Sequence, residues 1–491
     1  MANRGAPTPP IEIDPSAGAV TARFESVAVG APVIARLQDV CTEVLTDDAS
    51  CHEAGRDWWP ITMAWALKGE VPSQPAAVAR PTTAEEVAAV LAVCSDARVP
   101  VTTAGGRSGV CGASVPVFGG VVLDTTAMQG IVAVDDMSLL LTVKPGIFGD
   151  VLEDSLRADH GVTVGHWPQS MALSTVGGWL ACRGAGQYST RYGKIEDIVV
   201  GLEVALADGS LIRTGGDGPR AATGPELTRL FVGSEGTLGV ITEATLRLHP
   251  VAPAERRAAF GFPSFAAGND ACRRILRRGA TPAVLRLYDE RESRRYIEGT
   301  NVLLVLDEGD PAVIDGVMAV VRDECKDADV LDVEFVAQWL DHRNETSALQ
   351  EAYRKELVVD TTEIAARWSA LPAIYEEGIA ALKAIDGMWV ASAHQSHSYT
   401  DGACIYFTWA GQPNDATDGD AFYNAAWAAI MNVVVANGGA VSHHHGMGLN
   451  RSAWTPNVEV LTAVKHALDP HGVLNPGKLG VASPFGPVPW P

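Results

Sequence analysis

Three consecutive histidines, His443-His444-His445, are the residues in this chain best suited to move a proton near neutral pH. Alternate side chains of an extended segment face opposite ways, so at most two of the three face one site unless the backbone bends. Gly438, Gly439, Gly446 and Gly448 allow such bends. General acid/base work or oxyanion stabilisation suits the cluster better than zinc, since no Cys/His ligand spacing accompanies it; the plain alternative is a polar strand end. Tyr406, in the apolar run ACIYFTW, offers a phenol that can exchange a proton with a substrate hydroxyl, or it simply packs in a strand. Arg286 interrupts the apolar run PAVLRLY. A buried arginine is rare unless paired, so it reads as a clamp for a carboxylate or phosphate, or else as an edge arginine facing water.

Three glycine-rich loops must position something large beside these residues. They are Gly105-Gly106-Arg107-Ser108-Gly109-Val110-Cys111-Gly112, Ser174-Thr175-Val176-Gly177-Gly178, and Gly233-Ser234-Glu235-Gly236-Thr237-Leu238-Gly239. Glycine lets backbone approach a ligand closely, and a run of free N–H groups suits a pyrophosphate. The hydroxyls of Ser174, Thr175, Ser234 and Thr237 add donors without charge. One such loop alone is weak evidence; three in order is much stronger. None has the G-x-G-x-x-G arrangement, which disfavours a nicotinamide cofactor.

The order PTTAEEV, GGRSGVCG, PQSMALSTVGGW and GSEGTLGVIT resembles FAD-binding flavoproteins of the vanillyl-alcohol oxidase type. DGACIYFTW, SHHHGMG and LDPHGVLNPGKL resemble the alkyldihydroxyacetonephosphate synthase branch of that family. The resemblance implies an α+β chain: a two-subdomain FAD-binding domain followed by an α+β cap. Residues 1–74 would be an N-terminal arm and helical segment, 75–250 the FAD-binding domain, 251–440 the substrate cap, and 441–491 a segment returning to the flavin.

The resemblance further implies that FAD is held by Gly105, Gly106, Arg107, Ser108, Gly109, Val110, Pro168, Ser174, Thr175, Gly177, Gly178, Arg183, Gly186, Tyr192, Glu235, Gly236, Gly239 and Ile241. Tyr406, His443, His444, His445 and Arg286 would be catalytic. The first glycine loop has Cys111 but no histidine, so FAD is expected to be noncovalent and Cys111 a bystander. The branch's second, phosphate-handling arginine would fall near Leu349, counting back from Asp360-Thr361-Thr362-Glu363, and only Arg343 and Arg354 flank that position. Some hydroxy-acid dehydrogenases of the superfamily bind a metal through His-x-Gly-Asp-Gly-Asn-x-His and Glu-His-Gly segments. Here His397–Tyr406 lacks the Asn and second His, and His444 replaces the Glu, so no metal is expected. The activity implied is oxidation of a hydroxyl-bearing small molecule by hydride transfer to the flavin. The alternative is a synthase-like exchange of an acyl for an alkyl chain.

Composition sets the outer bounds. In 491 residues, 59 acidic against 37 basic side chains give a formal charge of −22, which argues against nucleic acid and anionic membranes as partners. The eight cysteines are scattered with no C-x-x-C pair, which suits reduced thiols in the cytoplasm. No apolar stretch reaches the length of a membrane span. A homodimer is a family-level expectation. Residues 1–20, rich in Pro, Ala and Gly, read as a loose arm, residues 32–46 have helical periodicity, and Cys51–Pro60 reads as a surface turn with Trp58 and Trp59 packed on the main body. The terminal SPFGPVPWP should be ordered only by docking.

Overall fold

The computed structural model describes residues 4–14, 19–216, 218–346, 348–415 and 418–490. The first half builds two short two-stranded sheets and two larger ones. One has four strands in the order Val44–Leu45, Ala77–Ala79, Val121–Asp124, Val101–Ala104, the last three parallel to one another. The other is antiparallel, in the order Leu211–Gly215, Val199–Ala205, Val240–Arg247, Leu140–Val143, Ile131–Asp135. Helix Ala84–Ala97 packs against the first sheet through Val87, Val90, Leu91 and Cys94. Its start matches the sequence signal: Thr83 accepts from the Glu86 N–H, and Glu86 reaches back to the Thr82 N–H.

The second half is one seven-stranded antiparallel sheet. Its order is Asp329–Leu331, Ala254–Phe262, Asn301–Gly309, Val284–Tyr288, Met388–Ser398, Gly402–Gly411, Val358–Arg367. The apolar faces of helices Leu371–Lys383 and Gly419–Ala436 bury Ile374, Leu382, Ile430 and Val434 over Phe407 and Ile405. The second helix ends where the sequence places its stop, with Gly438 at φ +68°.

Three expectations need correction. The described part of the N-terminal arm is a strap. Pro7, Pro9 and Pro10 fix their own φ and bias Ala6 and Thr8 towards extended backbone. The two remaining donors, Ala6 N and Thr8 N, bond to the carbonyls of Ala172 and Gly106. Trp58 and Trp59 pack inward as expected, but the stretch is buried rather than a surface turn, because Trp65, Tyr423 and the C-terminal Trp490 close over Trp59. Residues 32–46 form a shorter helix, Ala31–Val40, since Cys41 turns extended at its end.

Candidate active site

The glycine loops and the proton-active residues line one cavity of about 390 Å³. Its wall includes Gly105, Gly106, Arg107, Ser108, Gly109 and Val110 from the first loop, then Pro168, Ser174, Thr175 and Gly178 from the second. Arg286, Tyr406, His444 and His445 line the same cavity. A connected recess is lined by Gly105, Gly177, Gly178, Glu235, Gly236, Gly239 and Ile241. The loops fit together only as glycine: a Cβ on Gly106 would meet Leu173 O at 1.9 Å. At Gly109 and Gly178 a Cβ would meet almost nothing of the protein and would occupy cavity space instead.

Three sequence-derived positions lie outside both walls. Arg183 turns outward to pair with Glu196. Gly186 packs on the Trp167 backbone. The Tyr192 hydroxyl donates to Glu308, with the ring against Gly165 and His249. His443 does not line the cavity either. The two that do, His444 and His445, are neighbours in sequence, which an extended strand would send to opposite faces; the chain bends at 443–445 and brings them together.

Glu363 holds the histidine segment. It is wholly buried on strand Val358–Arg367 and accepts from Ser442 Oγ (3.0 Å), His443 N (2.6 Å), His445 N (3.0 Å) and Arg451 Nη1 (2.8 Å). Burial opposes its charge, but Arg451, the adjacent histidines and the backbone N–H groups outweigh that and hold the carboxyl well below the usual range. Glu363, Cys404, His443 and His444 approach one another closely enough to hold a metal ion. The carboxylate, however, is already fully engaged in shaping the loop. A second carboxylate, Glu235, accepts from Met447 N and Gly448 N and docks the same segment onto the third glycine loop.

Tyr406 bonds to two imidazoles, His397 Nε2 at 2.8 Å and His444 Nε2 at 3.0 Å. His397 would face away from His394 in a regular strand, since the two are three residues apart. A bulge between Ser396 and Ser398, with His397 at φ +50°, turns it to the same side. Burial holds His397 and His444 well below the usual imidazole range and His445 at about 4, and it pushes the Tyr406 phenol well above its own. At pH 7 the imidazoles are neutral and the phenol is protonated.

Arg286 donates to Tyr288 Oη at 2.6 Å and to His394 Nε2 at 2.8 Å. Guanidinium only donates, so His394 Nε2 is bare and Nδ1–H donates to Glu292 at 3.0 Å. Beyond Arg286 a vestibule of about 650 Å³ opens, and it shares Gln169, Gln187 and Arg286 with the main cavity. Its wall is a ladder of alternating cations and rings: Arg295 over Tyr288 (5.1 Å), Arg286 over Tyr288 (5.1 Å) and Trp339 (5.9 Å), Arg343 over Trp339 (5.6 Å). Glu292 pairs with Arg295, whereas Arg343 Nη1 is buried without a partner. The tertiary structure thus brings Arg343 to Arg286. Arg354 instead pairs with Glu12 and Glu351.

Residues 75–215 match the family described as FAD binding domain, and residues 252–479 match FAD linked oxidases, C-terminal domain. An uncharacterized FAD-linked oxidoreductase, YgcU of Escherichia coli (strain K12), is 32% identical over 437 residues, covering 82% of this chain and 89% of the relative. The chain belongs to the FAD-linked oxidoreductases. Glycolate oxidase subunit GlcD of Bacillus subtilis (strain 168) is 30% identical over 439 residues, covering 83% of this chain and 89% of the relative. An alkyldihydroxyacetonephosphate synthase structure superposes with a TM-score of 0.77 at 22% identity, covering 97% of this chain and 89% of that one. The fold is of the vanillyl-alcohol oxidase type.

FAD is the cofactor of this family, and the residues fit it. The glycine-walled recess suits a pyrophosphate, and buried polar atoms without protein partners, Thr103 Oγ1 and Arg107 Nε, stand on loop and strand beside it. Sequence reasoning missed Glu363 as an organiser and did not place His394, Arg343 and Arg451. Glu363 carried one usable signal, a carboxylate just before the apolar Ile364-Ala365-Ala366 of a strand-like run.

Proposed function

We propose that this FAD-dependent oxidoreductase oxidises a hydroxyl-bearing small organic substrate that carries an anionic group. Bound FAD supplies the hydride acceptor. The observation that carries the reading is the Tyr406 phenol, bonded to two neutral imidazoles on the wall of the cofactor cavity. One phenol lone pair is left for a substrate hydroxyl. As the C–H bond breaks, the hydroxyl proton passes to Tyr406 Oη and the phenol proton to His397 or His444. Arg286 and Arg343 hold the anionic end in the vestibule. The similarity to a glycolate oxidase subunit supports a hydroxy-acid substrate.

In the same reading, residues 75–250 bind FAD, 251–440 form the cap and 441–491 return to the cofactor. Cys111 is buried and does not line the cavity, which supports noncovalent FAD. Among the described residues no helix is long and apolar enough to cross a membrane. The unpaired cysteines support a cytoplasmic enzyme, and a homodimer is the expected assembly.

The deciding experiment is anaerobic mixing of the flavoprotein with a panel of hydroxy acids, alcohols and acyl-dihydroxyacetone phosphate. Lasting bleaching of the flavin by a hydroxy acid or alcohol is expected, and re-admitted air then separates oxidase from dehydrogenase. One observation favours the synthase-like alternative: Arg343 beside Arg286 is suited to a phosphate dianion. Fatty-acid release without lasting bleaching would replace the first reading with that one.

A further inference from the structure

Six side chains, three of them on the cavity wall, close a ring of hydrogen bonds. Ser189 Oγ meets His397 Nδ1 at 2.8 Å, and His397 Nε2 meets Tyr406 Oη at 2.8 Å. Tyr406 Oη meets His444 Nε2 at 3.0 Å, and His444 Nδ1 meets His443 Nδ1 at 2.9 Å. His443 Nε2 meets Tyr399 Oη at 3.1 Å, and Tyr399 Oη returns to Ser189 Oγ at 3.1 Å. The members come from separate parts of the chain: the helical turn Ser189–Tyr192, strands Met388–Ser398 and Gly402–Gly411, the turn after Ser398, and the histidine segment. Only the tertiary structure assembles them.

A neutral imidazole has one donor and one acceptor, and a hydroxyl has one hydrogen and spare lone pairs. Six neutral members therefore supply six hydrogens for six bonds, and every bond is made only if all of them point the same way round. Two such arrangements exist. In one, Ser189 donates to His397, and the hydrogens sit on His397 Nε2, His444 Nδ1 and His443 Nε2. In the other, all three histidines have changed tautomer and all three hydroxyls have turned. One tautomer out of step leaves a donor facing a donor. Burial holds all three imidazoles neutral and both phenols protonated, the charge states the ring needs.

We propose that these six residues act as one cooperative proton relay, in which Ser189 and Tyr399 are positioning residues that set the tautomers of His397 and His444. Tyr406, His397 and His444 are the ring members on the cavity wall, and Tyr406 Oη joins the two imidazoles; Ser189, Tyr399 and His443 do not line the cavity. When the substrate O–H bond breaks, its proton bonds to Tyr406 Oη. The phenol proton leaves for Nε2 of His397 or His444, and two arms carry the excess proton to Tyr399, one through His397 and Ser189, the other through His444 and His443. The ring then holds one extra proton and one positive charge, while the two electrons depart with the hydride. That step rests on the oxidoreductase reading; the ring does not.

The test uses the FAD-loaded protein with 15N-labelled histidine. Its 15N signals are assigned by the loss of each in His397→Gln, His443→Gln and His444→Gln. In the parent protein the three histidines should report one common ratio of the two tautomers. Tyr399→Phe keeps the ring's shape but opens it. His397 and His444 do not hydrogen-bond to Tyr399, yet their tautomer ratios should change about fivefold, the effect of one lost bond of about 1 kcal/mol. Ser189→Ala opens the ring next door and should act alike, which covers a failure of the first variant to fold. Unchanged ratios at both histidines in either folded variant would overturn the cooperative ring. If the ratios move but a reducing substrate bleaches the flavin at the parent rate, the relay is overturned and the ring is only structural. A panel in which nothing reduces the flavin would overturn the oxidoreductase reading and leave the ring standing.

Discussion

Replacing Glu363 by glutamine should loosen the histidine segment without touching the cavity itself. The carboxylate and Arg451 are both fully buried, 2.8 Å apart. Arg451 would keep only Val441 O as a strong partner, with its guanidinium over the Trp427 ring. Breaking a buried pair by removing one partner costs about 3–5 kcal/mol. Glutamine adds a second fault. One of its two head atoms is an NH2 donor, and on either side it would face a donor: His443 N at 2.6 Å, or Ser442 Oγ, His445 N and Arg451 Nη1. The upper part of the range is therefore expected, about 4–5 kcal/mol. Thermal unfolding of purified parent and variant, followed by tryptophan emission and by flavin release, reads the effect. Because the carboxyl is held well below its usual range, its stabilisation is fully present above the unfolded-state value near about 4.3 and is lost only as pH falls through the folded-state value. The difference between parent and variant should therefore be the same at pH 6 and pH 8. A variant that melts within about 1 kcal/mol of the parent, or a difference that changes between those pH values, would refute the assignment of Glu363 as the loop's anchor.

Tyr406→Phe should lower the rate of substrate-driven flavin reduction by about 10²–10⁴ while leaving FAD affinity unchanged, read by stopped-flow absorbance and by FAD titration. Arg343→Gln should raise KM for an anionic substrate by about tenfold or more, with little change in kcat, because its task is binding rather than chemistry. Deleting residues 2–13 should speed release of FAD by about tenfold, measured by the rise of flavin fluorescence on dilution, since the strap pins the carbonyls of Gly106 and Ala172 and buries Ile11 against Trp58 and Tyr353. Burial holds His394 and His445 at about 4 in the folded protein, so between about 6.5 and 4 the unfolded chain binds more protons. Stability should be full above that window and fall as pH drops through it, visible in melting temperatures from pH 7 to pH 5.

The glycine loops were legible because their chemistry is local. A backbone that must approach a ligand needs glycine at set positions whatever surrounds it, and Gly105–Val110, Ser174, Thr175, Glu235, Gly236 and Gly239 line the cavity or its recess. Helices with an apolar stripe and a capping residue, such as Ala84–Ala97, were equally plain. Arg183 and Tyr192 were harder. Cys182 and Gly184 on either side of Arg183 border the cavity, but side-chain direction at Arg183 and Tyr192 depends on Glu196 and Glu308, which lie on other elements. The N-terminal prolines looked like disorder because nothing in their own composition reveals that two carbonyls wait for the donors of Ala6 and Thr8.

The sequence by itself determined the cofactor class, the alternating strands and helices, and which residues have the pKa range to handle protons. The last two follow from residue type and short spacing; the cofactor class follows from the order of motifs, which resembles that of FAD-binding flavoproteins. Tertiary structure alone decided which groups meet. It turned His397 inward through a bulge and carried Ser189 to Tyr399 across about two hundred residues. It also set Arg343 beside Arg286, and it made the imidazoles neutral by burying them. Hydrogen-bond partners and desolvation are properties of the space around a side chain, and that space is filled by residues distant in sequence.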